Sequence, residues 1–289
     1  MSDATRSAGF DTPTTIALRE LRRSRSAIVG AAIMAVLLLI ALFAPLIAPY
    51  DPIAIDPSVS LQGPSGRHWM GTDDFGRDIL SRVLYGTRIS LRVGIIAVGI
   101  GGSIGLLIGL AAGYIGGWFD FIAMRAVDVL LSFPGILLAL LIMTVLGPSL
   151  TNVMIAVGIS NVPLYVRLVR GTVLSAKESG YVEAARGTGC SHLTIVVKHI
   201  VPNIIAPFIV VTTLEVANAI LLSATLSFLG MGAQPPTPEW GAMLNEGRRY
   251  IRTAWWMITF PGLMIMLSVL GINLLGDGLR DALDPKLSE

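Results

Sequence analysis

The amino-acid sequence predicts an all-α membrane protein with six transmembrane helices. Three observations carry that reading. Only 14% of the 289 residues are charged while 53% are hydrophobic. The apolar residues gather in six runs of spanning length, and an arginine-rich stretch, "RELRRSRS", abuts the first of them. A soluble domain carries roughly 25% charged residues, so this chain, with a mean hydropathy of +0.72, lacks the polar surface to cover itself in water. Its expected solvent is a lipid bilayer. A net charge of +2, with basic residues clustered rather than striped along one face, gives no footprint for nucleic acid. The single cysteine, Cys190, excludes an internal disulfide and a cysteine-based metal cluster.

A spanning helix needs about 20 mainly apolar residues. The stretches 28–48, 89–115, 126–147, 150–171, 203–231 and 256–276 qualify. Ahead of the first run there is no cleavage signal, so it reads as a retained helix after a cytoplasmic segment 1–27. Placing the N-terminus inside puts the larger share of the 21 Lys and Arg on the cytoplasmic side. These include Arg6, Arg19, Arg22, Arg23 and Arg25 before the first span, and Arg280 and Lys286 after the last. Both termini are then cytoplasmic, with 281–289 as a short tail.

Segment 49–88 falls outside and begins "APYDPIAIDP", whose prolines forbid continued helix. It continues as the mixed-charge stretch "GTDDFGRDILSRVLYGTRISL". The second outside segment, 232–255, opens on a proline cluster and closes on a Trp pair expected at the membrane interface. Residues 89–280 form the transmembrane core, interrupted by a cytoplasmic segment at 175–202.

Within span two, Gly101, Gly105, Gly109, Gly113 and Gly117 recur at four-residue spacing. A phosphate-cradling loop would need a turn after a strand, and a P-loop a Lys-Ser/Thr pair, neither of which is present. Glycines four apart on an apolar helix make a flat ridge that admits a close neighbour, within this chain or in a partner subunit.

The polar residues supply no catalytic set. His68 lies outside while His192 and His199 lie in the cytoplasmic segment, so they cannot share a metal, and no hydrolase or metalloprotease motif is present. Asp128 follows Arg125 by three residues and reads as a local ion pair. Glu215 is different. It sits near the middle of span five with Asn218 three residues later, where a carboxylate is costly and needs a partner or a wet cavity. It lines a substrate path, clamps two helices together through a hydrogen bond, or is a protonated, inert group.

Between two apolar runs the chain turns polar and basic: "EAARGTGCSHLTIVVKHIVPN". Ala185 and Gly189 are four apart with Ala184 beside them, which gives a small-residue patch between Glu183 and Arg186. A second short helix starts at Ser191, a good N-cap, and Pro202 separates it from span five. Such a helix, with a smooth small face, an exposed "TIVV" and charged margins, is suited to dock into another protein's cleft.

This stretch resembles the EAA signature of ABC-transporter permease subunits: Glu-Ala-Ala, three residues, Gly, nine residues, then Ile-x-Leu-Pro. Glu183, Ala184, Ala185, Gly189 and Pro202 match; His199 stands for Ile, a variant common in peptide-type permeases, and Val201 stands for Leu. The stretches "MGTDDFGRDILSRVLYGTRISLRVG", "LSFLGMGAQPPTPEWGAML" and "NLLGDGLRDALDPKL" look like the second permease subunit of dipeptide and oligopeptide importers.

The resemblance implies a fold like that of a type I ABC importer permease in a bacterial inner membrane. It implies a homologous second permease, two cytosolic ATPase subunits that bind ATP and Mg, and an extracytoplasmic binding protein that delivers short peptides. Glutathione and nickel importers use closely similar permeases. The chain itself would bind no cofactor and catalyse no covalent chemistry; residues 175–202 would be the coupling segment. A proton-coupled secondary transporter would use an intramembrane carboxylate such as Glu215, but leaves the EAA stretch without a role.

Overall fold

A computed structural model describes residues 24–283. Arg6, Arg19, Arg22, Arg23 and Lys286, on which part of the orientation argument rests, lie outside them. The described residues are helical, apart from loops and one isolated β-bridge between Thr72 and Asp78.

Helix α1 (Arg25–Ile47) is capped by Ser24, whose hydroxyl accepts from the Ala27 N–H at 3.3 Å. Helix α2 (Ile79–Ile115) starts ahead of the expected 89, because the Asp78 carboxylate caps it, accepting from the Ser81 N–H and hydroxyl at 2.8 Å. Its 37 residues span about 55 Å at 1.5 Å rise, well beyond the ~30 Å apolar layer, so part of α2 projects past the layer.

The run expected as one span over 126–147 is instead two helices, α3 (Gly117–Leu131) and α4 (Gly135–Leu146), bent by 94°. Pro134 is the cause: the residue before a proline is driven out of the α region. Among the described residues, five helices are long and apolar enough to cross a membrane, or six if this bent pair counts as one span.

Helix α5 (Leu150–Lys177) leads into α6 (Gly180–Gly187), and α7 (His192–Phe228) follows as one 37-residue helix with a π-helical stretch at Ile195–Ile200. Pro202 therefore does not separate a short helix from span five. It occupies the first turn after the π stretch, where a missing N–H is tolerated, and the Val201 N–H reaches back to the Val196 carbonyl. Helices α8 (Trp240–Gly247) and α9 (Trp256–Leu283) are the last among the described residues.

The glycine ridge settles how α2 and α5 meet. A Cβ added at Gly109 or Gly113 would lie 2.7 Å from the Cβ of Val169 or Val173, and one at Gly101 would lie 2.7 Å from the Gly158 carbonyl. A Cβ at Gly105 would collide with Tyr165. The contacts advance together along both helices, so α2 and α5 run parallel and the close neighbour lies within this chain. Gly117 is not part of the ridge. It follows the end of α2 with φ +58° and has open space around it.

Two other pairs, α9 with α1 and α7 with α2, run antiparallel: Gly271 meets Ile33 as Gly278 meets Ala27, and Gly102 meets Phe208 as Gly94 meets Ile220. Gly276 of α9 meets Leu214 of α7. Ser24 and Leu283 are thereby brought to the same end of the bundle as residues 175–202. Segments 49–78 and 232–255 form the other end. Leucine, isoleucine and phenylalanine side chains stand exposed along α1, α3 and α4, as expected of surface facing lipid.

Candidate functional site

Two polar regions flank the bundle and one lies within it. At the 175–202 end, α5 runs out of the core and turns into α6. Val182 and Ala185 pack inward against Val169, Val173, Ile195 and Ile200, while Glu183, Ala184 and Arg186 stand exposed. The small-residue patch read from the sequence is therefore split. Ala185 belongs to the core, because the apolar side of this short helix is anchored on α5 and α7. Gly189 lies beyond α6 with φ +80° and open space around it, where it acts as a turn rather than as part of a helical face.

Ser191 does cap the following turn, its hydroxyl accepting from the Thr194 N–H at 3.3 Å. Of the apolar stretch expected on the surface, Ile195 is buried and Val197 exposed, and Leu193 joins Val197 outside at 74% and 55% exposure. The exposed face thus comprises Tyr181, Glu183, Ala184, Arg186, Leu193 and Val197. His199 is half-buried, its ring 6.4 Å from that of Tyr181, and Pro202 is exposed.

Three ties that sequence spacing does not reveal fasten this region to the end of α2. The Tyr114 hydroxyl lies 2.7 Å from His192 Nδ1, Lys177 Nζ donates to the Tyr114 carbonyl at 2.9 Å, and the same ammonium lies 5.8 Å from the Tyr114 ring. Nearby, Asp128 pairs with Arg167 at 2.7 Å and not with Arg125. The Arg125 guanidinium lies instead over the Phe121 ring at 5.3 Å. A neighbouring helix offers Asp128 a better partner than its own.

Inside the bundle, Asn218 Nδ2 donates to Glu215 Oε1 at 3.0 Å. Glu215 is half-buried and Asn218 exposed, so the pair opens onto the surface of this chain rather than into its core. Tyr165, fully buried on α5, packs on the facing side of α7 with its ring 5.3 Å from Phe208.

At the opposite end lies a buried ion cluster that sequence spacing does not announce. Arg77 Nε donates to Asp73 Oδ2 at 2.6 Å, and Arg77 Nη2 and Arg82 Nη2 share Glu246 Oε2 at 3.0 and 2.9 Å. Arg82 is 0% exposed and Asp73 1%. The four-residue spacing of Asp73 and Arg77 hinted at a pair, but Glu246 lies 169 residues from Arg77 in the chain. Beside this cluster, His68 Nδ1 lies 2.9 Å from Asp78 Oδ1. Glu239 caps α8, accepting from the N–H groups of Gly241 and Ala242 at 3.0 and 2.9 Å. Burial, with no cation to oppose it, pushes the Glu239 carboxyl above the ordinary glutamate range. The indole N–H groups of Trp240 and Trp256 donate to the carbonyls of Val83 and Thr72.

Comparison with known proteins agrees with this architecture. Residues 105–289 match the family described as binding-protein-dependent transport system inner membrane component. Residues 12–64 match the N-terminal TM domain of oligopeptide transport permease C. The dipeptide transport system permease protein DppC of Alkalihalophilus pseudofirmus is 50% identical over 275 residues, covering 95% of this chain and 90% of that protein. The glutathione transport system permease protein GsiD of Escherichia coli O1:K1 / APEC is 50% identical over 270 residues, 93% of this chain and 89% of its own. Among solved structures, an inward-facing MetNI methionine ABC transporter chain aligns with a TM-score of 0.58 at 20% identity, covering 71% of this chain and 98% of that one. The chain therefore belongs to the inner membrane components of binding-protein-dependent transport systems and is a permease subunit of an ABC importer.

Proposed function

We propose that this chain forms half of the translocation path for dipeptides or other short peptides. The remainder of the importer is a homologous second permease, two cytosolic ATPase subunits that hold ATP and Mg, and an extracytoplasmic protein that delivers the peptide. Identity of 50% to a dipeptide permease over nearly the whole chain carries the substrate class. The equal identity to a glutathione permease keeps the class to short peptides, since glutathione is itself a tripeptide.

Residues 175–202 form the coupling segment, with Glu183, Ala184, Arg186, Leu193 and Val197 presented to an ATPase and Ala185 holding α6 to the bundle. This assigns the 175–202 end, and with it both termini, to the cytoplasm of a bacterium. The parallel α2–α5 pair, locked by its glycines, supports transmission, because it joins the coupling segment to the opposite end as one rod. Closure of the ATPases then favours one orientation of that rod over another through their differential contacts with α6. Glu215 and Asn218 face the second permease across the path.

The deciding experiment reconstitutes the importer in proteoliposomes and measures ATP-driven uptake of dipeptides, glutathione and nickel, with the ligand retained by the purified binding protein identified in parallel. Dipeptide uptake that needs the ATPases and ignores the proton gradient is expected. Proton-driven uptake without ATPases, or nickel as the sole cargo, overturns the reading.

A further inference from the structure

Between α3 and α5, charged side chains stand open at a depth where the neighbouring surface faces lipid. Asp128 Oδ1 accepts from Arg167 Nη2 at 2.7 Å, yet the two side chains are 46% and 52% exposed. Their depth follows from the glycine ridge. Gly105 lies against Tyr165 and Gly109 against Val169, so Arg167 is level with Leu107 of α2. Leu107 is an exposed apolar side chain, and so is Ile115, further along α2 toward the 175–202 end. The apolar layer therefore continues about 12 Å past the pair, at 1.5 Å rise per residue.

A charged side chain in contact with lipid is costly, and such residues face a bundle interior or a water-filled cavity. The exposure of both side chains excludes the interior of this bundle. What lies beside them supports the cavity. Gly171 and Ser175 follow Arg167 at four-residue spacing, are exposed as it is, and share its face of α5. With Thr172 and with Asn203 of α7 they line a cavity of about 480 Å³ next to the coupling segment. On the other side, Arg125 and Asp128 line a second cavity of about 310 Å³. A pair standing in water contributes little to stability, so its members are free to change partners.

We propose that Asp128 and Arg167 line the cytoplasmic half of the translocation path and take the charges of a passing peptide. The guanidinium receives the terminal carboxylate and the Asp128 carboxylate the terminal ammonium. A short peptide at neutral pH carries both charges, and a guanidinium meets a carboxylate with two parallel hydrogen bonds. The exchange of charges rests on reading the cargo as a peptide; the hydration of this face does not.

The first test asks whether the face is wet, and it needs no cargo. The assembled importer in nanodiscs carries Cys190→Ser in this chain together with Gly171→Cys or Leu107→Cys. Each is treated with an anionic methanethiosulfonate while the mass of this chain is followed. A Cβ at Gly171 meets nothing within 4 Å, so the substitution is accommodated. A thiol reacts as its thiolate, which apolar surroundings suppress, and we expect Gly171→Cys to react about tenfold faster than Leu107→Cys. Equal rates overturn the path.

The second test asks what the pair does. Asp128→Asn and Arg167→Gln should each lower the kcat of ATP-driven dipeptide uptake several-fold, with the Tm kept within about 1 °C. Arg167→Lys keeps the charge and should retain most of the rate. Wild-type uptake in Asp128→Asn and Arg167→Gln overturns the exchange. A loss of uptake that tracks a lower Tm, or that Arg167→Lys shares in full, assigns the pair to holding α3 on α5 and overturns it as well. A cargo other than a peptide removes the peptide reading and the exchange together, while the thiol rates still decide whether the face is wet.

Discussion

At the end built from residues 49–78 and 232–255, Asp73 and Arg77 are buried and tied to Arg82 and Glu246; at the 175–202 end Glu183, Arg186 and Lys198 stand in solvent. Arg82 is enclosed and shares Glu246 with Arg77, and two indoles donate to distant backbone carbonyls beside it. Around α6, by contrast, Glu183 and Arg186 are exposed, and the region is held by the Tyr114–His192 and Lys177–Tyr114 contacts, the hydrogen bond from Asn203 to the Tyr181 hydroxyl and an apolar anchor. The first end is fixed by burial, which makes each charge dependent on its partner. The second presents exposed charged and apolar side chains, which is what the proposed docking onto an ATPase requires. Even the ion pairs differ in kind: Arg167 and Asp128 are about half exposed, where a pair contributes at most about 1 kcal/mol.

The largest effect is expected from breaking the buried cluster. Arg82→Ala leaves Glu246 and Asp73 short of a cation in a closed site, which costs about 3–5 kcal/mol. In thermal unfolding of the purified complex the Tm should drop by about 10 °C, and Arg167→Ala should barely move it. Equal, small shifts for both would erase the contrast between the two ends.

The rod that joins the ends comes next. Replacing Gly105 and Gly109 with Leu drives side chains into Tyr165 and Val169, and overpacking of this kind costs about 1–3 kcal/mol per site. Loss of assembly and of uptake is expected. Wild-type stability and uptake would mean that α2 and α5 are not locked together.

At the coupling end, neighbouring alanines should part company. Ala185→Asp puts a carboxylate into the apolar anchor of α6 and lowers stability, on the order of several kcal/mol if it stays charged and unpaired. Ala184→Asp, on the exposed face, should leave the Tm within about 1 °C but abolish ATP-driven uptake and weaken retention of the ATPases. Normal uptake with Ala184→Asp would remove the docking role from this face.

The smallest effect tests how the first end handles charge without a cation. Below the ordinary glutamate pKa of about 4.3, Glu239 is protonated in both folded and unfolded chains. Because its folded pKa is raised, the unfolded chain ionises first as pH increases, and stability falls through that window until the folded group ionises too. A Tm measured against pH should therefore slope downward above about pH 4.3, and Glu239→Gln should flatten the slope. An unchanged slope in the variant would assign the pH dependence to other groups.

Local chemistry makes much of this legible from the chain alone. The apolar runs give the spans, Ser191 gives its cap, and the glycine spacing gives a ridge. It fails where a residue's partner lies on another element. Asp128 reads as Arg125's partner by spacing, yet Arg167 reaches it from α5. Ala185 reads as surface by its size, yet the apolar side of α6 is folded inward. Pro202 reads as a break, yet a π stretch absorbs the missing N–H, and Pro134 makes the break that hydropathy alone passes over.

What the sequence determined by itself is the solvent, the all-helical class and the family, because lipid requires long runs whose backbone groups are paired within the run. Only the tertiary structure decided what the runs do to one another. It chose the parallel pairing of α2 with α5, gathered Asp73, Arg77, Arg82 and Glu246 into one enclosed cluster, and sorted Ala184 from Ala185. The reason is physical: burial and pairing belong to surfaces on different helices, and no spacing within one helix records which surface it will meet.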